Sequence, residues 1–596
     1  MCAGSDPKAL LPLAGRLVCL WYPEHNARIV KPASVLGWLP GLLLIAPASA
    51  QTKAPPDTIY LGAIVTMEPK TPRAEAVATS GDAITAVGLR ADVMRLRGPE
   101  TRVIELGERA LLPGFIDAHG HLTATAAFSQ YANLSSPPAG PVKSMRALRD
   151  VLRRHIAGHA ILAGEWVIGY GYDDSLLAER RHPTRADLDA VSTEHPIFVV
   201  HVSGHFSAAN SRLLTLAKID ASSPNPPGGV IRRQKGSQEP DGVLEETAHM
   251  ALYAKVPKPG LAESLSLIAK ALNTYASMGI TTVQDGGAMP ENLALLSEAA
   301  RTKLLTLDVV AYRLLLPPSG RFPEDLGFGT HRDRLKIGGV KLILDGSPQG
   351  KTAFLKDPYH VPPSGQAAGY RGYAAMSQEV LNQAVLEAVK RSVPLLAHAN
   401  GDAASQMLID AVEAAGRDTG QATSQIVMIH AQTVRDDQLD RMGALGMIPS
   451  FFVGHTFYWG DWHREETLGS PRAERISPAR SAIERGLAFT LHNDAPVVPP
   501  EIVRTLWSAT TRRTRSGDIL GPQQRLTIME ALQGVTINAA RQYSEEDRKG
   551  SIKAGKLADL VIVSQNPLSM DPERLLDLRI VETISHGLSV YRAPRP

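Results

Sequence analysis

The sequence predicts an α/β chain whose largest part is a (β/α)8, TIM-like barrel, with a small β-sandwich built from both chain ends and an inserted subdomain after the first barrel strand. Three observations carry that expectation. Eight apolar runs without polar alternation recur along the middle of the chain, as strands buried on both faces do. Helical patterns separate them, the rhythm of a parallel sheet built from βα units. Short strand patterns broken by turn residues stand at both extremities. At 596 residues the chain is also too long for one core, since single cores rarely exceed roughly 250 to 300 residues.

The first element is a leader. Residues 33–48 are apolar, follow Arg28 and Lys31, and end in Ala48-Ser49-Ala50, a small-x-small pattern. This predicts a signal peptide over 1–50, cleavage after Ala50, and a protein exported to the periplasm or secreted. The apolar run is shorter than the ~20 residues of a spanning helix, and Pro40-Gly41 interrupts it, which argues against a permanent membrane anchor. Cys2 and Cys19 both precede the cut, so the mature chain is expected to hold no thiol.

Strands are expected next at 59–67, 74–79, 83–87 and 103–105, and again at 558–563, 580–585 and 589–591. Together, 51–110 and 546–596 form the expected composite sandwich. The barrel, 111–545, takes its strands from 111–117, 280–285, 306–313, 338–344, 393–398, 426–430, 447–451 and 487–493. The interval 135–256 is too long for one βα connection and has its own strand-like run at 197–202, so it is expected as an insertion.

A net charge of +3, with no basic run interleaved with aromatics, argues against nucleic acid as a partner. Residues 102–109 and the pair Arg512 and Arg513 are expected as solvated surface charge. Hydrophobic and charged fractions of 44% and 21% exclude a disordered or fibrous chain.

Barrel sites lie at the C-terminal strand ends, and chemistry-bearing residues gather there. The first run closes on His119-Gly120-His121, and alternate residues of a strand point one way, so both imidazoles can meet one ion. The fifth ends in His398, the sixth in His430, and the eighth in His492-Asn493-Asp494. Imidazole and carboxylate suit a borderline divalent metal. Lys341 lies among apolar residues of the fourth run, a poor place for a charge. It is either paired with a carboxylate such as Asp345 or converted by carbon dioxide to an anionic carbamate.

These segments resemble the amidohydrolase superfamily, in its amidohydrolase-3 branch that includes N-substituted formamide deformylases. The matching stretches are the H-x-H pair, VKLILDGSPQGKTA around Lys341, LLAHANGDAA at His398, MIHAQ at His430, LHNDAPV at Asp494 and GSIKAGKLADLVIV near the end. HVSGHFSAANSRLL and DGVLEETA, inside the insertion, are similar too. The resemblance implies two divalent ions. His119, His121 and Asp494 hold one, His398 and His430 the other, and carboxylated Lys341 bridges them. Zinc is the default metal. It also implies that a shared hydroxide attacks a carbonyl of a small amide-type substrate, with Asp494 taking its proton and handing it to the leaving nitrogen. The sequence departs from the family at Pro348-Gln349-Gly350-Lys351 and at His492-Asn493, next to the ligands.

Two other readings stand beside this one. A single-ion deaminase of the same superfamily lacks a bridging lysine and carries a glutamate shortly after a strand-end histidine, where this chain has Gln432. A non-catalytic scaffold has lost its ligands, whereas every position is filled here. Pocket candidates are His201, His205, Glu245 and the aromatic stretch 451–462, with His455 and Asp285 near strand ends. A homo-oligomer is compatible with the sequence.

Overall fold

Apolar runs such as LLAHA (Leu395–Ala399) and IVMIH (Ile426–His430) have no wet face, and they pair side by side in a parallel sheet. The computed structural model describes residues 54–594 apart from 227–228, 316–321, 323–326, 364 and 424. The leader expected over 1–50, with its cut after Ala50 and both cysteines, lies outside the described residues.

That sheet takes one strand from each of the eight expected runs, in chain order: Phe115–Ile116, Ile280–Ala288, Asp308–Leu314, Leu335–Ile343, Leu395–Ala399, Ile426–His430, Ile448–Phe451 and Thr490–Leu491. All seven pairings along this path are parallel. A short strand, His331–Arg332, adds an antiparallel edge to the fourth. The sheet is curled. Just beyond its first and last strands, Asp494 N–H donates to the His119 carbonyl at 3.1 Å and His121 N–H to that of Ala495 at 2.8 Å. Helices such as Leu261–Ser277, Gln378–Lys390 and Asp402–Thr419 bury their apolar stripes against it in the largest hydrophobic core.

The first run is divided where continuity was expected. Residues 111–113 end the strand Arg102–Pro113 of another sheet, with Leu112 opposite Val561, and only Phe115–Ile116 join the curled sheet. Local apolarity cannot tell these two pairings apart. Both chain ends combine in one continuous seven-stranded sheet, where Leu560–Val563 pairs with Arg102–Pro113. Its pairing shifts register between Leu61 and Ala63, and an isolated bridge joins Ala83 to Leu557. Tyr60, Val77, Leu560 and Ile584, from both chain ends, share one hydrophobic core.

The expected insertion holds a six-stranded sheet of its own, running from Ala132–Asn133 to Pro240–Glu246, with a core on each face. Arg512 corrects another expectation. It is 1% exposed, and its guanidinium donates to the carbonyls of Leu520 and Ile476 at 2.6 and 2.9 Å. Backbone acceptors here replace the water a surface arginine would have. Among the described residues, no helix is long and apolar enough to cross a membrane.

Candidate metal and catalytic site

Each strand places its polar side chain at its C-terminal end, so residues far apart in sequence converge. Lys341 Nζ lies 3.0 Å from His119 Nε2. Asp494 Oδ1 lies 3.5 Å from His119 Nε2 and 3.3 Å from His121 Nε2, and its Oδ2 lies 3.9 Å from His430 Nε2. The His398 and His430 rings meet edge to face, with centroids 4.5 Å apart. Donor atoms of His119, His430 and Asp494 all lie within 4.8 Å of one another. All six sequence-derived candidates therefore surround one small space.

Their backbones are unusual. His430, Ala431 and Asp494 adopt φ of 73°, 44° and 58°, a left-handed region costing non-glycine residues on the order of 1–3 kcal/mol each. Tertiary hydrogen bonds hold them there, Ala431 N–H to the Ala399 carbonyl and Asp494 N–H to that of His119, each at 3.1 Å. Gly286 is needed for close approach, because a Cβ would stand 2.5 Å from His119 Cε1 and Gln284 Oε1.

The imidazoles are oriented from behind. His119 Nδ1 meets Gln284 Oε1 at 2.6 Å, and the Gln284 amide donates to the Tyr543 hydroxyl at 2.8 Å and to the Ala118 carbonyl at 2.9 Å. His398 Nδ1 meets Asp345 Oδ1 at 3.2 Å. His430 Nδ1 meets His492 Nε2 at 3.2 Å, and His492 Nδ1 meets Ser450 Oγ at 2.9 Å. Gln284 Oε1 and Asp345 Oδ1 accept from the Nδ1–H of His119 and His398, which turns the Nε2 lone pairs of these rings toward Lys341 Nζ at 3.0 Å and the Asn400 amide at 3.2 Å, the orientation of metal-binding histidines. Gln284, Asp345 and His492 were not assigned this role from sequence. Two of them adjoin residues the sequence does single out, Asp285 and Asp494, and a backing group has no spacing of its own to reveal it.

The electrostatics suit a cation. Burial, then the Lys341 charge, holds His119 well below the usual histidine range; burial, then His398, does the same to His430. Burial pulls the Lys341 ammonium down to about 7. It forms no ion pair among the described residues, and Asp345 instead accepts from the amides of Phe354, Asn400 and Gly401. Burial alone would raise Asp494, but the neighbouring His121 imidazole and the charges of His119 and His430 hold it well below the carboxylate range. Asp494 Oδ1 is buried without a hydrogen bond among the described residues. A lone-pair-rich pocket with an orphaned carboxylate oxygen fits a divalent cation.

The pocket candidates scatter. His201 Nε2 lies 3.0 Å from Asp174, His205 Nδ1 lies 3.0 Å from Glu246, and Glu245 pairs with Arg232. Asp285 accepts from the Thr123 hydroxyl at 3.0 Å, near His121 but with no imidazole in its grasp. His455 Nδ1 meets His463 at 3.0 Å, and its ring packs on Phe452 and Trp459, so this aromatic stretch is largely core.

The sequence pattern of the family described as "Amidohydrolase family" matches residues 102–591. The chain is 29% identical over 548 residues to the N-substituted formamide deformylase of Arthrobacter pascens, an alignment covering 90% of this chain and 98% of that one. It is 26% identical to Protein LONG AFTER FAR-RED 3 of Arabidopsis thaliana, covering 85% and 86%. Among solved structures, an uncharacterized metal-dependent hydrolase from Pyrococcus horikoshii OT3 superposes with a TM-score of 0.68 at 24% identity, over 86% of this chain and 99% of the other, and so shares its fold.

Proposed function

The chain belongs to the amidohydrolase family and is a hydrolase of carbon–nitrogen bonds other than peptide bonds; from that premise we propose that it cleaves the amide bond of a small N-acyl amine at a two-cation centre. One observation carries this reading: the buried Asp494 Oδ1, without a hydrogen bond among the described residues, faces two imidazole Nε2 atoms beside a buried lysine that makes no ion pair among those residues.

His119, His121 and Asp494 would hold one cation and His398 and His430 the other, with zinc as the default for so imidazole-rich a set. Lys341 would bridge them after its neutral amine adds carbon dioxide, forming a carbamate and releasing a proton. Burial favours this, because it keeps the amine uncharged near neutral pH. Divalent cations supply Lewis acidity and a water-derived nucleophile near neutral pH. Asp494 Oδ1 would take the proton released on attack and deliver it to the departing nitrogen. The curled sheet is read here as a closed (β/α)8 barrel, and the insertion as a wall of the substrate pocket.

The test is a metal-replete activity screen over N-substituted formamides, other N-acyl amines, N-acyl amino acids and cyclic imides, with elemental analysis alongside. Two metal ions per chain are expected. Asp494→Asn is expected to lower turnover by at least about 10³-fold while keeping the thermal midpoint. Near-normal turnover in that variant overturns the assignment.

A further inference from the structure

An open cavity of about 1160 Å³ lies behind two segments that frame the candidate centre. Residues 495–500, the loop directly after Asp494, form one part of its wall. Thr125, from the helix Leu122–Phe128 that follows His121, forms another. None of His119, His121, Lys341, His398, His430 and Asp494 lines it.

Its chemistry is distinct from that of the centre. The Phe128 ring packs 4.2 Å from Tyr170 and 5.6 Å from Tyr131, tilted in both cases, and Trp166 lines the cavity with them. Tyr170 is buried and the other three rings are half-buried, whereas the lining residues Glu165, Glu263 and Lys270 are exposed. Rings therefore make the interior and charges the rim. Flat rings of this kind bind another aromatic ring in offset or edge-on contact. Val497 and Pro499 add apolar surface from the loop.

Of the lining rings with a polar tip, Tyr170 already donates its hydroxyl to the Val202 carbonyl at 3.0 Å. The Trp166 indole and the Tyr131 hydroxyl make no hydrogen bond among the described residues. Small-molecule sites are commonly concave and walled by aromatic side chains with a few placed donors.

We propose that this cavity is a second ligand site, separate from the metal centre, for an aryl compound carrying a hydrogen-bond acceptor such as a carbonyl, carboxylate or sulfonate. Its rings bind the aryl group, and Trp166 and Tyr131 donate to the acceptor. The Ala495 carbonyl accepts from His121 N–H at 2.8 Å, so a ligand pressing on the loop bears on where Asp494 sits.

The experiment titrates the full chain with 8-anilinonaphthalene-1-sulfonate, an aryl sulfonate whose emission reports binding. One saturable site per chain is expected. Ser266 is exposed and lines the cavity, so Ser266→Trp fills it from a tolerant helix position. That change is expected to weaken binding by about tenfold. Trp166→Phe keeps a ring but removes the donor, and is expected to weaken binding about two- to tenfold. Metal content and far-UV melting midpoints should be unchanged in both variants. If Ser266→Trp does not fold, Trp166→Phe with Tyr131→Phe carries the test. Absence of a saturable site, or an affinity that these changes leave alone, overturns the proposal.

Discussion

Two lysines, each buried at an end of the same parallel sheet, are treated in opposite ways. At the N-terminal ends of the second to fourth strands, Lys549 pairs with Asp308 and lies 3.1 Å from Glu545, and it donates to Thr282 Oγ1 at 3.1 Å. Lys336 reaches the same Glu545 at 2.9 Å, and His586 reaches Asp308 at 3.1 Å. At the C-terminal ends, Lys341 is equally buried but meets only an imidazole nitrogen at ion-pair range. Burial alone would lower both ammonium groups. It prevails at Lys341, which is pulled down to about 7, and is outweighed at Lys549, where Asp308 and Glu545 push the group above the usual lysine range. Depth therefore does not decide the charge of a buried lysine; its partners do. One end of the parallel sheet is a compensated lock with the residues around Lys549 and His586, and the other is an uncompensated set of donors.

The contrast can be broken by mutation. The largest effect is expected for Lys341→Ala, which should lower turnover by about 10³-fold or more and reduce the metal bound per chain. Partial recovery on adding a short carboxylic acid would single out an anionic bridge, whereas unchanged turnover would put Lys341 outside the chemistry. Lys549→Met leaves two buried carboxylates short of a cation and should cost roughly 3–5 kcal/mol of stability in urea unfolding. Residual folded protein should keep its metal content. A loss of metal there with no loss of stability would reverse the assignment of the two ends. Gln284→Leu removes the partner behind His119 together with that amide's bonds to Tyr543 and Ala118, and a fall of about 10- to 100-fold in metal affinity or turnover is expected.

The smallest effect is in pH. Burial would raise Glu545, but the His331 hydrogen bond and the Lys549 charge outweigh it and hold its carboxyl well below the usual range. Asp308 is likewise held low, against burial, by Lys549 and His586. A depressed carboxylate contributes stability that is present above its unfolded value, about 4, and is lost as pH falls toward the folded value. Metal-free protein should thus lose stability on acidification below about pH 4, and Lys549→Met should flatten that dependence. Parallel curves for the two proteins would mean the lock is not the acid-sensitive element.

Strand-end residues were legible because their type clashes with their surroundings. His398 and His430 stand at the ends of runs that are otherwise apolar, and Lys341 lies inside one, so each is conspicuous in one dimension. Gln284 and His492 were not, because an amide or a second histidine beside a flagged residue looks like any polar strand end. Their roles come from partners far along the chain, Tyr543 for Gln284 and Ser450 for His492. The lock was equally hidden: Lys549 and Asp308 lie 241 positions apart. Arg512 was placed at the surface because charge pattern alone carries no information on whether carbonyls or water will solvate a guanidinium.

What the sequence by itself determined is the inventory: which runs become strands of the parallel sheet, and which nitrogen and oxygen donors stand near their ends. Periodicity and apolarity are local properties, written directly in the order of residues. Only the tertiary structure decided where the first run is cut, with residues 111–113 given to the other sheet, and that both chain ends form one continuous sheet. It also decided which buried lysine keeps a counter-ion. Those outcomes depend on distances between segments hundreds of residues apart, and such distances exist only once the chain has folded.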